Sequence, residues 1–257
     1  MTPQPESWPG SESIPAAPLP PPARLHEFER LSGVFFSPAR AFGDIVLRPR
    51  WWIPVVLIGI FSTVFINLYS ARVGWERVVR QQIEQSSRAE SMTPQQREQA
   101  IAAGARVAQV LGYGGTVVGS VFYLLVTAAV LLFIVNSLLG SEVKFGSMMG
   151  IVSYASLPQI VSAVLATLVM YLKPPDDFDL RNPLAFNAGA FLASDATAWM
   201  KALAGSFDLF SFWIMALIAV GISAAAPRIK FGKAFGAVLF PWALYVALKT
   251  VAAAAFN

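Results

Sequence analysis

Five long apolar runs, separated by charged or proline-rich segments, constrain what this chain can fold into more than any other feature of its sequence. They fall at about residues 52–69, 113–139, 148–172, 209–226 and 234–254. A run of about 18 or more apolar residues is typical of a transmembrane helix, because it spans a hydrocarbon layer of about 30 Å. Charged residues make up only 13% of the chain, against about 25% in soluble domains. The sequence therefore predicts an all-α, polytopic membrane protein with five transmembrane helices.

The residue types that build most catalytic and metal sites are scarce. The chain has no cysteine and one histidine, His26, which excludes disulfides, thiolate metal sites and sites built from several histidines. It also has no phosphate-binding loop, G-x-S-x-G motif or zinc signature. We therefore expect no enzymatic activity, no cofactor and no metal. Basic residues beside the spans account for the net charge of +4, so it does not indicate a nucleic-acid partner.

Two segments precede the first apolar run. Residues 1–23 are rich in proline and lack an apolar core, which predicts a disordered tail. Residues 24–50 carry apolar side chains at helical spacing, which predicts an amphipathic segment lying in the membrane surface. There the rings of Phe35, Phe36 and Phe42 would either enter the acyl chains or pack against the spans. The sequence leaves both alternatives open.

A polar segment follows the first run and is expected to form a helical loop outside the membrane over residues 72–110. Thr93 is a good helix cap, with proline at the first helical position and Gln96 three residues after the cap. The pattern predicts two helices, at about 73–90 and 94–110. Their charges are typical of a solvated face.

The chain contains nearly the same ten residues twice, as VKFGSMMGIV at 143–152 and IKFGKAFGAV at 229–238. Two predicted spans separate the copies, so both would lie on one face of the membrane. We predict that this face interacts with lipid or protein partners. The candidate residues are Lys144, Phe145, Gly146, Gly150, Lys230, Phe231, Gly232 and Gly236.

Each residue type in the repeat suggests a role. The lysines would sit among headgroups and prefer anionic lipid, and the phenylalanines would anchor at the interface. The paired glycines would flatten one face of the following helix for close packing. Pro158 and Pro241 follow the two copies and would kink the helices. A true internal duplication is one interpretation, and a shared preference of short cytoplasmic turns is the other.

Basic residues near the span ends indicate the orientation. Arg48 and Arg50 lie directly before the first span, and three cations without an acid lie within 227–233. The loop at 173–206, on the other side, is acidic. By the positive-inside rule, the amino terminus is cytoplasmic and the carboxyl terminus lies opposite.

Few polar residues interrupt the spans. Asn136, Ser156 and Gln159 could line a pathway, but such side chains more often bond neighbouring helices. Lys249, near the end of the fifth span, can extend to the far interface. A transporter or channel would have a polar cavity near the bilayer midplane, lined by Asn136, Ser156 or Gln159.

Three pieces of sequence carry a resemblance to a known family: FFSPARAFGDIVLRPRWWIPVVL, MTPQQREQA and KFGSMMGIVSYASLPQIV. Over about residues 30–255 the chain resembles bacterial members of the Yip1 family. The resemblance implies five spans and a cytoplasmic amino terminus. Eukaryotic members of the family bind small Rab-type GTPases in vesicle traffic. That activity is not carried over, because the short tail here has no obvious GTPase-binding element.

The sequence supports two main hypotheses about function. The first is a non-enzymatic protein of a bacterial cytoplasmic membrane that organises a membrane or a protein complex. Its partners would be membrane lipids, a membrane or cytoplasmic protein, or a second copy of the chain. The alternative is a transporter or channel for a small solute or ion.

Overall fold

The structure is a computed structural model that describes residues 24–84, 91–180, 182–193 and 195–255. The tail predicted for residues 1–23 lies outside these ranges. Among the described residues the regular structure is helical, apart from one antiparallel bridge between Asn187 and Asp208. The predicted all-α fold class is confirmed.

Two short helices precede the first apolar helix: α1, Glu27–Phe36, and α2, Pro38–Ile45. At the start of α1 the Glu29 carboxylate accepts a hydrogen bond from the His26 backbone N–H at 2.8 Å, which satisfies a donor that a helix start leaves unpaired. A proline opens α2, where its missing N–H costs nothing. The two helices pack closely, because a Cβ on Gly33 would lie 3.0 Å from the Ala41 Cβ.

The first long apolar helix is α3, Trp52–Arg72, and a turn through Gly74 at φ +80° leads to α4, Trp75–Glu84. The next helix, α5, is Pro94–Gly114. As predicted, Thr93 caps it: the Gln96 N–H donates to the Thr93 hydroxyl at 3.3 Å, and the Thr93 N–H donates to the Gln96 side chain at 2.9 Å.

The second span, predicted within about 113–139, corresponds to the candidate span Ser120–Leu138. From α5 the helix continues through a π-helical segment, Gly115–Gly119, into α6, Ser120–Phe133, and a second π-helical segment, Ile134–Leu138. At about 1.5 Å per residue, the stretch from Pro94 to Leu138 is roughly 65 Å long, about twice the hydrocarbon thickness. The first half of this helical stretch, Pro94–Gly114, therefore lies outside the candidate span Ser120–Leu138.

The remaining helices are α7, Phe145–Ala155; α8, Pro158–Leu172; α9, Ala198–Ala204; α10, Leu209–Ala225; and α11, Phe231–Ala255. One-turn 3₁₀ segments at Pro175–Asp177 and Ala188–Phe191 lie in the loop between α8 and α10.

Four helical stretches of the described chain are long and apolar enough to cross a membrane: Trp52–Arg72, Ser120–Leu138, Phe145–Leu172 and Phe231–Ala255. The fifth predicted span corresponds to α10, which is equally apolar but has 17 residues. The structure thus has the helices of an integral membrane protein, with four candidate spans and one shorter apolar helix.

The core has two parts. The larger cluster of buried residues joins α2, α6, α7, α10 and α11, with α10 packed against three of them. The smaller cluster joins the end of α3 to the extramembrane helices. Its centre is Tyr69, whose ring packs edge-on against Trp75 at 5.4 Å. A Cβ on Gly112 would lie 2.2 Å from Trp75, so only glycine allows α5 to approach this closely.

Arg72, at the end of α3, connects that helix to α8. Its guanidinium donates to the Met170 carbonyl at 2.8 Å and to the Tyr171 carbonyl at 3.1 Å. It also lies over the Tyr171 ring, 4.7 Å from the centroid. Carbonyls in the last turn of a helix have no partner within the helix, so this cation satisfies two of them.

Candidate functional site

The first copy of the repeated decapeptide begins α7 and packs as predicted. Gly150 is buried, and a Cβ there would lie 2.9 Å from the Pro49 Cβ and 3.2 Å from Ile45. The helix face carrying Gly150 therefore meets the segment that leaves α2. Gly146 faces Pro49 less closely, at 3.7 Å. Beside them, the Ser147 hydroxyl donates to the Val46 carbonyl at 2.8 Å.

The second copy begins α11 and does not pack in this way. A Cβ on either Gly232 or Gly236 would have nothing within 4 Å. Within the described chain, neither glycine therefore brings a second helix into close contact. The physical reason is that α2 packs against α7 and α10, which leaves the glycine face of α11 without a neighbour. Similar sequences therefore occupy different environments. Packing of this glycine face against a second copy of the chain stays a prediction.

The Lys-Phe positions of both copies are accessible. Lys144 and Lys230 are exposed, and the rings of Phe145 and Phe231 are about half exposed. The Phe231 ring stacks on Phe235 at 5.8 Å. The geometry thus leaves two cations and two aromatic rings available at the ends of two helical hairpins.

A buried charge network, which the sequence analysis missed, joins α1 and α2. The Arg30 side chain is 3% exposed and donates to Glu27 at 2.9 Å and to Asp44 at 2.6 Å. Its guanidinium also donates to the Arg48 carbonyl at 3.1 Å. One arginine therefore connects both helices to the chain that leads into α3. The three-residue spacing of Glu27 and Arg30 could have indicated the first of these pairs.

Further arginines surround the two carboxylates. The Arg48 guanidinium pairs with Asp44, and Arg50 lies 3.4 Å from Glu27. Desolvation, and after it repulsion from the neighbouring arginines, lowers the pKa of the Arg48 guanidinium from its usual value. The cluster is therefore positive overall, with three cations around two acids.

Tyr154 attaches this network to the membrane helices. It is fully buried in α7, and its hydroxyl donates to the Glu27 carboxylate at 2.6 Å. The contact bridges residues 127 positions apart in the chain. It fixes α1 on the end of α7 through a charge-assisted hydrogen bond.

The aromatic residues of the amino-terminal segment divide between the two predicted alternatives. Phe42 is fully buried, and Phe35 packs edge-on against Trp213 of α10 at 5.8 Å. Phe36 is 85% exposed and Phe28 is 80% exposed. The segment therefore packs against the bundle with one face and presents aromatic rings on the other.

The side chains of Asn136 and Ser156 form hydrogen bonds with backbone groups of nearby residues. Asn136 donates to the Val143 carbonyl at 3.0 Å and accepts from the Val143 N–H at 2.9 Å. It thereby fixes the turn before α7. The buried Ser156 hydroxyl donates to the Val152 carbonyl of its own helix at 2.8 Å. Neither side chain is among those that line the cavity described next.

Gln159 lines a cavity of about 800 Å³ between α6, α8, α10 and α11. We call this space the outer cavity. The loops at 182–187 and 205–208 cover one end. At the other end Leu131, Ile218 and Val238 line it with buried apolar side chains. A transport pathway was predicted to be lined by Asn136, Ser156 or Gln159, and of these three Gln159 lines this cavity.

The two prolines act differently. Pro158, where the sequence predicted a kink, is the first residue of α8 and follows a break at Ser156 and Leu157 that separates α8 from α7. Pro241 lies inside the unbroken helix α11 and lines the outer cavity. There it leaves the Ala237 carbonyl without the usual intrahelical N–H.

Comparison with known families fits this architecture. A family model described as Yip1 domain matches residues 32–252. The chain belongs to the Yip1 domain family. No curated protein and no solved structure matches it. The matched residues of the Yip1 domain run from within α1 to near the end of α11, so they include both decapeptides and the outer cavity.

The matched range also contains some of the residues that hold the amino-terminal segment on the bundle. Asp44 and Tyr154 lie inside the matched range, and Glu27 and Arg30 lie just before it. Within the described parts of the chain, no group of three or more histidine, cysteine, aspartate or glutamate side chains is placed to hold a metal ion. The site is thus a packed helical surface with exposed cations and aromatic rings.

Proposed function

We propose that this Yip1-family chain is a non-enzymatic membrane protein with five spans that organises a membrane or a membrane-bound complex from its cytoplasmic face. Its partners are membrane lipids and a membrane or cytoplasmic protein, with a second copy of the chain as a further partner. Nucleic acid is not a partner. The host membrane is the cytoplasmic membrane of a bacterium.

The fifth span is α10. Its 17 residues extend about 26 Å at about 1.5 Å per residue, which is close to the hydrocarbon thickness of about 30 Å. It is packed between α7 and α11, both parts of candidate spans. A crossing at α10 puts both decapeptides on the same side as the amino terminus, and the basic residues there favour the cytoplasm.

The observation that carries the proposal is the way α1 and α2 are held. The Arg30 network and the buried ring of Phe42 fix the segment on the bundle. Phe28, Phe36 and Leu47 remain at least 70% exposed on it. Exposed aromatic and aliphatic side chains held on a rigid base are typical of an interaction surface.

The two decapeptide turns extend this surface. Lys144 and Lys230 supply cations at headgroup depth, each followed by an exposed phenylalanine. Such residues favour an anionic membrane surface or an acidic partner. We refer to the two turns as the cytoplasmic face.

The test is extraction of the full chain in native lipid nanodiscs, followed by mass spectrometry of the proteins and lipids recovered. The variant carries Lys144→Glu and Lys230→Glu. The control carries Arg106→Glu and Lys173→Glu, which make the same charge change at exposed positions on the opposite side. We expect the first pair to lose anionic lipid or a stoichiometric protein, and the control to keep it. Equal recovery from both would contradict the proposal.

A further inference from the structure

We propose that the outer cavity binds one anionic phospholipid of the leaflet opposite the amino terminus. The inference rests on the proposed five-span topology, because that topology places the Lys249 end of α11 at the far interface. The volume of the outer cavity, about 800 Å³, lies within the range of about 300–1,000 Å³ for ligand sites.

The dimensions match one leaflet. Val238, Trp242, Tyr245 and Lys249 line the cavity at helical spacing, so they form one stripe of α11. From Val238 to Lys249 this stripe extends about 17 Å at about 1.5 Å per residue, close to half of a hydrocarbon layer of about 30 Å. The cavity therefore runs from near the midplane to the headgroup region.

The polarity along this direction matches a lipid. The deep end is lined by the buried side chains of Leu131, Met215 and Ile218. Such side chains suit an acyl chain. The outer end is lined by polar side chains of the covering loops and of Lys249. Tyr123 of α6 and Tyr245 of α11 line the cavity and are more than half exposed, so it opens toward the bilayer between these helices.

One cation, Lys249, and one carboxylate, Asp208, line the outer end of the cavity. The Lys249 ammonium donates to the Ser206 hydroxyl at 3.2 Å. Among the ion pairs of the described residues, none includes Lys249. Asp208, which also lines the cavity, instead accepts from the Ser211 N–H and hydroxyl at 2.8 Å each. The exposed Lys249 ammonium is therefore available to a lipid phosphate, with which it would form a charge-assisted hydrogen bond.

Two polar side chains in the middle of the cavity have spare hydrogen-bonding capacity. Serine and threonine hydroxyls elsewhere in these helices bond their own backbone, as Ser156 and Thr167 do at 2.8 Å each. The side chains of Gln159 and Ser162 line the cavity and donate no hydrogen bond to any described part of the chain. They are placed to donate to the glycerol ester carbonyls of a lipid.

The test uses the full-length protein in nanodiscs of phosphatidylcholine with a minor fraction of phosphatidylglycerol, analysed by native mass spectrometry. We expect one phosphatidylglycerol molecule to remain bound to the wild-type chain. The variant Lys249→Gln should retain about tenfold less, which is the scale of one lost charge-assisted hydrogen bond. The variant Lys173→Gln, which removes an exposed cation outside the cavity, should retain as much as the wild type.

A second variant, Ser162→Leu, fills the cavity without changing charge and should also reduce retention. Inorganic phosphate added in excess should not displace the lipid, because it cannot occupy the apolar end. Equal retention by Lys249→Gln and Lys173→Gln would overturn the inference, as would equal retention of phosphatidylcholine and phosphatidylglycerol. Either result would leave the effect of Lys144→Glu and Lys230→Glu unchanged, so failure of the cavity and failure of the cytoplasmic face can be distinguished.

Discussion

Replacing Arg30 with alanine tests whether the buried network holds the amino-terminal segment on the bundle. The change leaves the carboxylate of Asp44, which is 9% exposed, with Arg48 as its remaining ion-pair partner. Removing one partner of a buried ion pair costs about 3–5 kcal/mol. Because Asp44 keeps Arg48 and Glu27 is 24% exposed, we expect the lower end, about 3 kcal/mol.

This loss should appear as local opening of α1 and α2. A change of about 3 kcal/mol corresponds to roughly a hundredfold change in an equilibrium constant. Hydrogen exchange measured by mass spectrometry in nanodiscs should therefore show amides of α1 and α2 exchanging roughly a hundredfold faster. The amides of α10, at the centre of the larger core, should change much less. Arg30→Lys should give an intermediate result, because it keeps the charge and loses the planar donor geometry.

The matched control is Arg40→Ala. Arg40 is an exposed arginine on α2, so its removal should change exchange very little. If Arg30→Ala and Arg40→Ala gave the same exchange rates in α1 and α2, the network would not hold the segment. The reasoning from burial would then be refuted.

Two further predictions concern packing and turn geometry. Gly150→Ala should destabilise the protein by about 1–3 kcal/mol through overpacking against Pro49. Gly236→Ala, in the matching position of the second copy, should be neutral or slightly stabilising. Thermal unfolding in detergent compares the two variants, and equal effects would contradict the environments assigned to the two glycines. Asn136→Ala should cost about 1–3 kcal/mol, because both backbone groups of Val143 lose their partner, and unchanged exchange at the Val143 amide would contradict that role.

The candidate site was only partly predictable, and the two decapeptides show why. Sequence similarity suggested that all four glycines would pack against a helix. The structure brings Gly150 against Pro49 and leaves Gly236 without a neighbour. Whether a glycine packs depends on a segment distant in the chain, and no local pattern specifies that segment.

The Arg30 network was missed for the same reason. Two of its members, Glu27 and Asp44, lie near Arg30 in the sequence. The Arg30 side chain is buried because α1 docks onto α7, where Tyr154 lies 127 residues from Glu27. Charged residues on an amphipathic segment are usually solvated, and nothing in the local sequence marks Arg30 as buried. Burial is a property of the assembled helices.

By itself the sequence determined the helical class, the apolar stretches that can cross a membrane, and the capped start of α5 at Thr93. These depend on local quantities, which are hydropathy over about 20 residues and the hydrogen bonds of a single helix turn. The tertiary structure alone decided that α1 and α2 dock on the bundle and that Asn136 bonds a turn. It also decided that Gln159 and Lys249 share one cavity. Each of these depends on contacts between segments far apart in the chain, whose geometry only the packed helices fix.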